Sequence, residues 1–343
     1  MFSRERLLKV LSHWNCSNHF EISEDQGLIN YTWMIGNPIS GVLQWVNPIF
    51  SPLVNNDIQS IAREATQRGI LFPEVIPTKS NTAYLLDPDD GGAWRMISFV
   101  EGKTLHTINN SEISQEAGRL VGQFHAAFWD YKHSWVSPRR YIHNTPERMN
   151  DLRTALEKAD GHHLEIPARE LGKNILNAWE NWTGTMELPT RLCHGDLKIS
   201  NLRFDVENKG LCLLDLDTLG EADFSVEMGD AWRSWCNPVG ESDPEAVRFD
   251  REIFESSAKA WLSQLPMITQ LEKESLVAGI ERICLELAAR FCADAIHNNY
   301  FKEDRKKYPT VGEHNLTRAT TQYRLAKSVF AQKSACEKII FSV

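Results

Sequence analysis

Asp196 and Asn201 stand five positions apart in the stretch Arg191-Leu192-Cys193-His194-Gly195-Asp196-Leu197-Lys198-Ile199-Ser200-Asn201, and Asp215 ends the apolar run Leu213-Leu214 a short way on. These residue types in this order suit the transfer of a phosphoryl group to a hydroxyl. That reaction asks little covalent help from a protein. It needs a carboxylate to take the hydroxyl proton, and oxygen ligands to hold magnesium against the phosphates. Asp196 fits the first task, and Asn201 and Asp215 fit the second. Asp and Asn are common in loops, and His-Gly-Asp alone is a frequent turn. The weight lies in the complete pattern: HGDxxxxN, a predicted hairpin, then an apolar run ending in Asp.

The catalytic loop of kinases has the same Asp-to-Asn spacing and the same later metal-binding Asp. Within this loop His194 reads as a brace, since Asp196 already supplies the base. Lys198 has two readings, a cation that stabilises developing charge or a solvated loop lysine. Asp217 either assists at the metal or orients the loop. Cys193 beside His194 suggests a thiol nucleophile, but it reads better as a small apolar residue ending a strand that leads into the loop.

The elements that must position these residues fall into two sets. Alternation and β-branched content predict strands at 28–35, 41–46, 83–86 and 94–100, with Gly36-Asn37-Pro38 turning between the first two. A helix near 56–68, followed by Gly69, interrupts them. From Ser111 a helical part begins, in which Ile113, Ala117, Leu120, Val121, Phe124 and Phe128 follow the 3.6 period. Further helices are predicted at 146–159, 167–183, 244–263, 272–297 and 315–332, and a hairpin joins 202–204 to 211–214. The N-terminus reads as a short amphipathic helix with Leu7, Leu8 and Leu11 on one face. The expected architecture is α+β: a small antiparallel sheet lobe over residues 1–100 and a larger, mainly helical lobe over 101–343. Trp232 and Trp235 read as core, although tryptophan also stacks on sugars.

Bulk properties narrow the function classes. The 343 residues carry a formal charge of −9 with no block of like charges, which argues against a large nucleic-acid face. No apolar run is long enough to span a membrane. The first helix is too short and too charged for a signal peptide, so a cytoplasmic protein is expected. Seven scattered cysteines without a CxxC pair suggest reduced thiols.

HGDLKISN with LLDLD resembles the aminoglycoside phosphotransferase and choline kinase family, and the likeness extends to FVEGKTL and GRLVGQFHAAF. His125 there matches a recurring family histidine that serves packing. The resemblance implies a protein-kinase-like bilobal fold with ATP and Mg²⁺ bound between the lobes. The adenine would lie against the backbone of Ser98, Phe99, Val100 and Glu101. Within the family, QGLINYTW, GVLQWVN, RFCADAIHNNYFKED and HNLTRATTQYRLAKSVF are similar to the N-acetylhexosamine 1-kinase group. That likeness implies a sugar acceptor, phosphorylated on its anomeric hydroxyl and held by Arg290 and Tyr300, with Asp294 nearby to accept sugar hydroxyls. The other reading of Arg290, Asp294 and the Glu286/Arg290 helix spacing is a set of structural ion pairs.

The chain also departs from the pattern. No glycine-rich loop precedes the first strands. Gly27 alone offers close backbone approach there, with Asn30 as a phosphate or substrate contact. Gln44 occupies the place of the strand lysine that kinases aim at phosphate, and can donate a hydrogen bond but no charge; the hexosamine group is similar in this. Tyr31 and Trp45 stand where that group has Asp and Arg, close to the expected phosphate and sugar contacts, and 295–299 replaces an acidic, glycine-containing stretch. Two other readings therefore stand beside the sugar kinase: a kinase for amino alcohols such as choline, homoserine or aminoglycosides, and a pseudokinase that binds nucleotide without turnover.

Overall fold

The period-two alternation of the first strands gives the sheet two different faces, and the structure shows what each one meets. It is a computed structural model and describes residues 2–23, 29–87, 90–138, 143–298, 301 and 307–343. Strands β1 (Phe20–Ile22), β2 (Tyr31–Ile35), β3 (Gly41–Val46), β4 (Val75–Ile76), β5 (Leu85–Leu86) and β6 (Ala93–Ile97) form an antiparallel sheet in the order β1-β2-β3-β6-β4, with β5 also paired to β6. Trp33, Ile35, Leu43, Trp45, Trp94 and Met96 make its outer face, covered by α1 (Arg4–Leu11) through Leu7, Val10 and Leu11. Leu8, expected on that stripe, is only half-buried, and Trp14 completes the cover. On the opposite face Thr32, Met34, Val42 and Gln44 turn towards a cleft.

This alternation corrects one expectation. Tyr31 and Trp45 are cross-strand partners, and both pack with Phe2 on the outer face. Their departure from Asp and Arg is thus a change within one outward pair, away from the cleft.

Helix α2 (Val54–Gln67) follows β3, and β7 (Lys103–Thr104) leads into α3 (Ser111–Ala127), whose N-terminal amide at Ile113 is capped by the Asn110 side chain. Beyond α4 (Thr145–Glu157) and α5 (Glu165–Glu180), strand β8 (Arg191–Cys193) enters the HGD segment. The expected hairpin is present as β9 (Leu202–Phe204) and β10 (Gly210–Leu213), with β7 as a third strand; β8 pairs instead with β11 (Gly220–Ala222).

Helix α6 (Phe224–Trp235) escaped the sequence reading; its side carrying Glu227, Asp230 and Arg233 is turned into the protein, and every residue but Ser234 is buried. Helix α7 begins at Arg251, not 244, because the Asp250 side chain accepts the amides of Glu252 and Ile253 and sets the start there. The long helix α8 (Gln270–His297) packs against α4, α5, α6 and α9 (Val311–Ile340), so it too is buried nearly all round. Burial of Ile280, Ile283 and Phe291 stabilises the helical part by about 1.5–3 kcal/mol each. Where α6 crosses α8, a Cβ on Gly279 would lie 2.1 Å from the Ser225 carbonyl oxygen, so only glycine lets the two axes approach this closely. Among the described residues no helix is long and apolar enough to cross a membrane.

Candidate active site

The loop after β8 is braced from beneath by buried groups. The backbone amides of His194 and Gly195 donate to the two oxygens of Glu227 on α6, at 2.7 and 2.9 Å. Glu227 also meets His125 Nε2 at 3.2 Å, and His125 Nδ1 accepts from Trp261 Nε1, which leaves Nε2 as the donor. Burial alone would raise the Glu227 carboxyl, but His125 and the amide donors hold it below its ordinary value. His194 Nδ1 accepts from the Asp196 amide and Nε2 donates to the Leu214 carbonyl, tying the HGD loop to the chain just before Asp215. Trp235 Nε1 donates to the Leu197 carbonyl. Gly195 has φ +80°, and a Cβ there would sit 2.6 Å from the Thr218 carbonyl oxygen. Trp232 and Trp235 are both buried in the core. Cys193 is also buried, and that burial pushes its thiol well up, which leaves it unsuited to nucleophilic work.

Above this brace the loop presents its chemistry. Asp196 Oδ2 accepts from Lys198 Nζ at 2.8 Å and from Asn201 Nδ2 at 3.0 Å; the same Asn201 nitrogen also donates to the Asp196 carbonyl. Burial works to raise the Asp196 carboxyl, but Lys198 outweighs it and holds the group below its ordinary value. Conversely, burial works to lower the Lys198 ammonium, and Asp196 and Asp215 hold it raised. Asp215 is in the left-handed region at φ 57°, ψ 61°, a conformation uncommon for a residue with a side chain and frequent at functional sites. Its carboxyl opens on the cleft, yet the surrounding walls, with Asp217 next in effect, push it up to about 6. A divalent cation fits this chemistry. Carboxylates crowded together favour a cation between or beside them, and Asp215 with the Asn201 carbonyl oxygen offers hard oxygen donors of the kind magnesium takes.

The facing wall is the inner side of the sheet. Gln44 lines the cleft, but its amide is engaged: Nε2 donates to Thr32 Oγ1 at 3.3 Å and Oε1 accepts from Arg95 Nε at 2.9 Å. Asn30 lines it too, with Nδ2 donating to Asp217 Oδ2 at 2.7 Å and Oδ1 accepting the Asn47 amide, so this side chain holds Asp217. The guanidinium of Arg95 is buried and makes a two-armed ion pair with Asp217, and it also reaches Asn55 on α2. Ser98, Phe99 and Val100 line the cleft where the chain leaves β6; Glu101 is exposed outside that lining. Gly27 lies outside the described residues.

At the far end Arg290 and Asp294 on α8 line the same cleft. Asp294 Oδ2 accepts the Phe301 amide and Asn315 Nδ2. Glu286 is engaged with His143 and Thr145. Tyr300 falls outside the described residues. The cleft measures about 1890 Å³, more than a ligand pocket of roughly 300–1,000 Å³ and enough for two reactants side by side. Sequence reasoning missed Arg95, Glu227 and Asp230. For Arg95 a signal existed, a lone charge inside the apolar strand AWRMI. For Glu227 and Asp230 the signal was their recurrence with Arg233 every three residues within the apolar run FSVEMGDAWRSW.

Solved structures share this arrangement of sheet and helices. An aminopropanol kinase associated with a microcompartment matches with a TM-score of 0.64 at 16% identity, covering 98% of this chain and 99% of that one. Amicoumacin kinase hAmiN, solved with AMP-PNP, Ca²⁺ and its substrate, matches at 0.64 and 14%, covering 94% and 93%. Choline kinase from Cryptosporidium parvum Iowa II matches at 0.61 and 14%, covering 96% and 97%. At such identities the likeness is one of fold, that of the protein kinases. Among curated protein sequences none matches the chain significantly. The family model described as "Phosphotransferase enzyme family" matches residues 56–261, a span from α2 to α7 that holds the HGD loop, Glu227 and Asp215. The chain belongs to this family and is a phosphotransferase.

Proposed function

We propose that the protein transfers the γ-phosphate of ATP to a hydroxyl of a small molecule, with Asp196 as the base. The observation that carries this reading is the convergence of Lys198 and Asn201 on one oxygen of Asp196, on the wall of the cleft that also holds Asp215. With Oδ2 held by two donors, Oδ1 is the oxygen that takes the hydroxyl proton. Asn201 and Asp215 hold Mg²⁺, which when bound neutralises the phosphate oxygens. Lys198 keeps Asp196 ionised and adds positive charge beside the transferred group. Nucleotide lies against Ser98–Val100, between a sheet lobe over 1–100 and a catalytic lobe over 101–343.

For the acceptor we infer an N-acetylhexosamine or related sugar, reacting at its anomeric hydroxyl. One observation supports a neutral acceptor over a choline-like cation. Among the described residues two aromatic faces at that end are already capped: the Arg290 guanidinium lies over Phe301 and Arg318 over Phe291. A choline-like cation needs such faces open. Asp230 also lines the cleft with Oδ1 engaged by Arg233, while among the described residues its buried Oδ2 meets no hydrogen-bond donor. That oxygen accepts from a hydroxyl and from an ammonium alike, so it does not separate the two acceptor classes. Amino-alcohol kinases such as the aminopropanol and choline enzymes named above give the rival reading. Incubation with ATP, Mg²⁺ and a panel of sugars and amino alcohols decides between them by mass gain of phosphate. Phosphorylation of amino alcohols alone would sink the sugar reading, and no phosphorylated product from a broad metabolite pool would sink the kinase reading.

A further inference from the structure

The sheet wall carries glutamine where kinase strands place a phosphate-directed lysine, yet the same face of the sheet holds a cation one strand away. Arg95 on β6 is the cross-strand partner of Gln44 on β3, and its residue is only 2% exposed. A guanidinium taken out of water in this way is tolerated only when its donors are met. Here Nη1 and Nη2 grip Asp217, Nε donates to Gln44 Oε1, and Nη1 also reaches Asn55 Oδ1 at 3.3 Å on the first turn of α2. Asn30 steadies Asp217 from the other side. Asp217 belongs to the 3-10 turn Leu216–Thr218 directly after Asp215, and Thr218 Oγ1 donates to the His194 carbonyl at 2.7 Å. The turn is thus pinned to the sheet through Arg95 and to the catalytic loop through Thr218.

We propose that Arg95 is the positioning residue of the cation site: by fixing and neutralising Asp217, it sets where Asp215 presents its carboxylate. The sheet's positive charge then acts on the metal-binding turn and not directly on phosphate. Without it, Asp217 would compete for the cation or repel Asp215, and the turn would lose its tie to the sheet. This rests on the reading that Asp215 and Asn201 are metal ligands, so the test must separate the two.

The probe is Mn²⁺, with the free ion read by its EPR signal, titrated into the full-length chain with and without ADP while circular dichroism reports folding. Arg95→Gln is expected to weaken Mn²⁺ binding by about 10–100-fold, as loss of a group that orients metal ligands does, and to leave metal-free ADP affinity unchanged. Exchanging the partners (Gln44→Lys with Arg95→Gln) returns a cation to the same face and is expected to recover part of the loss. A folded Arg95→Gln protein with wild-type Mn²⁺ affinity overturns the proposal and makes the arginine merely structural. Where Arg95→Gln does not fold, Arg95→Lys decides, because it keeps a charge but lacks the two-armed fork. Weakening by about threefold or more supports the proposal, and unchanged affinity overturns it. If Asp215→Asn leaves wild-type Mn²⁺ binding intact, the metal-site reading itself fails and this inference falls with it.

Discussion

The two walls of the cleft hold their charges differently. On the loop wall, Asp196, Lys198 and Asn201 lie within five positions of one another; Asn201 is buried, and the Asp196–Lys198 pair remains partly open to solvent. On the sheet wall, Arg95 and Asp217 are separated by 122 positions and almost closed to water. An ion pair that water can reach is screened and gives up a partner at little cost, which suits groups that must change partners during a reaction. A buried, two-armed pair keeps its geometry because an uncompensated buried charge is costly. The comparison separates the groups proposed to react from the groups proposed to position them.

Variants can break this contrast, and the largest effect belongs to the loop wall. Asp196→Asn is expected to lower kcat by about 10²-fold or more while the protein stays folded; a loss of less than about tenfold would remove Asp196 from the role of base. Next is the brace beneath the loop. Glu227→Gln turns one acceptor into a donor that faces the buried Gly195 or His194 amide, and should cost about 1–3 kcal/mol in chemical denaturation. Stability within experimental error of the wild type would show that the loop is held by other contacts.

The pH dependence of the cation site is smaller. The Asp215 carboxyl is raised from its ordinary 3.8 to about 6, so the folded protein binds this proton more tightly than the unfolded chain. The metal-free protein therefore loses stability from this group as pH rises through that interval. The cation must displace the same proton, so its apparent affinity should fall about tenfold between pH 7 and pH 5, measured by titration calorimetry. A flat profile would show that Asp215 does not govern the site. The smallest effect is expected on the outer face of the sheet: Tyr31→Asp with Trp45→Arg replaces this cross-strand pair by a charged one and should leave the nucleotide KM unchanged. A shifted KM would mean that the outer face communicates with the cleft.

Part of this molecule was legible along the chain. The strands at 31–35 and 41–46, the hairpin and most of the helices follow from alternation, period and caps, since each depends on neighbours close in sequence. The role of helix α6 was not legible, because the side carrying Glu227, Asp230 and Arg233 is turned into the protein, where a sequence pattern would place it towards water. Nor was the engagement of Asn30, which a local reading assigns to phosphate but which folding hands to Asp217.

What the sequence by itself determined is the spacing on which the proposed chemistry rests: HGDxxxxN, a hairpin and Asp215 are short-range spacings, and a tight loop turns such spacings directly into distances. Only the tertiary structure decided how that chemistry is held. Arg95 meets Asp217, and Glu227 meets the His194 and Gly195 amides, across chain separations that no local pattern encodes. Those contacts exist because buried charges and amides must find partners once the sheet, α2 and α6 close around the cleft.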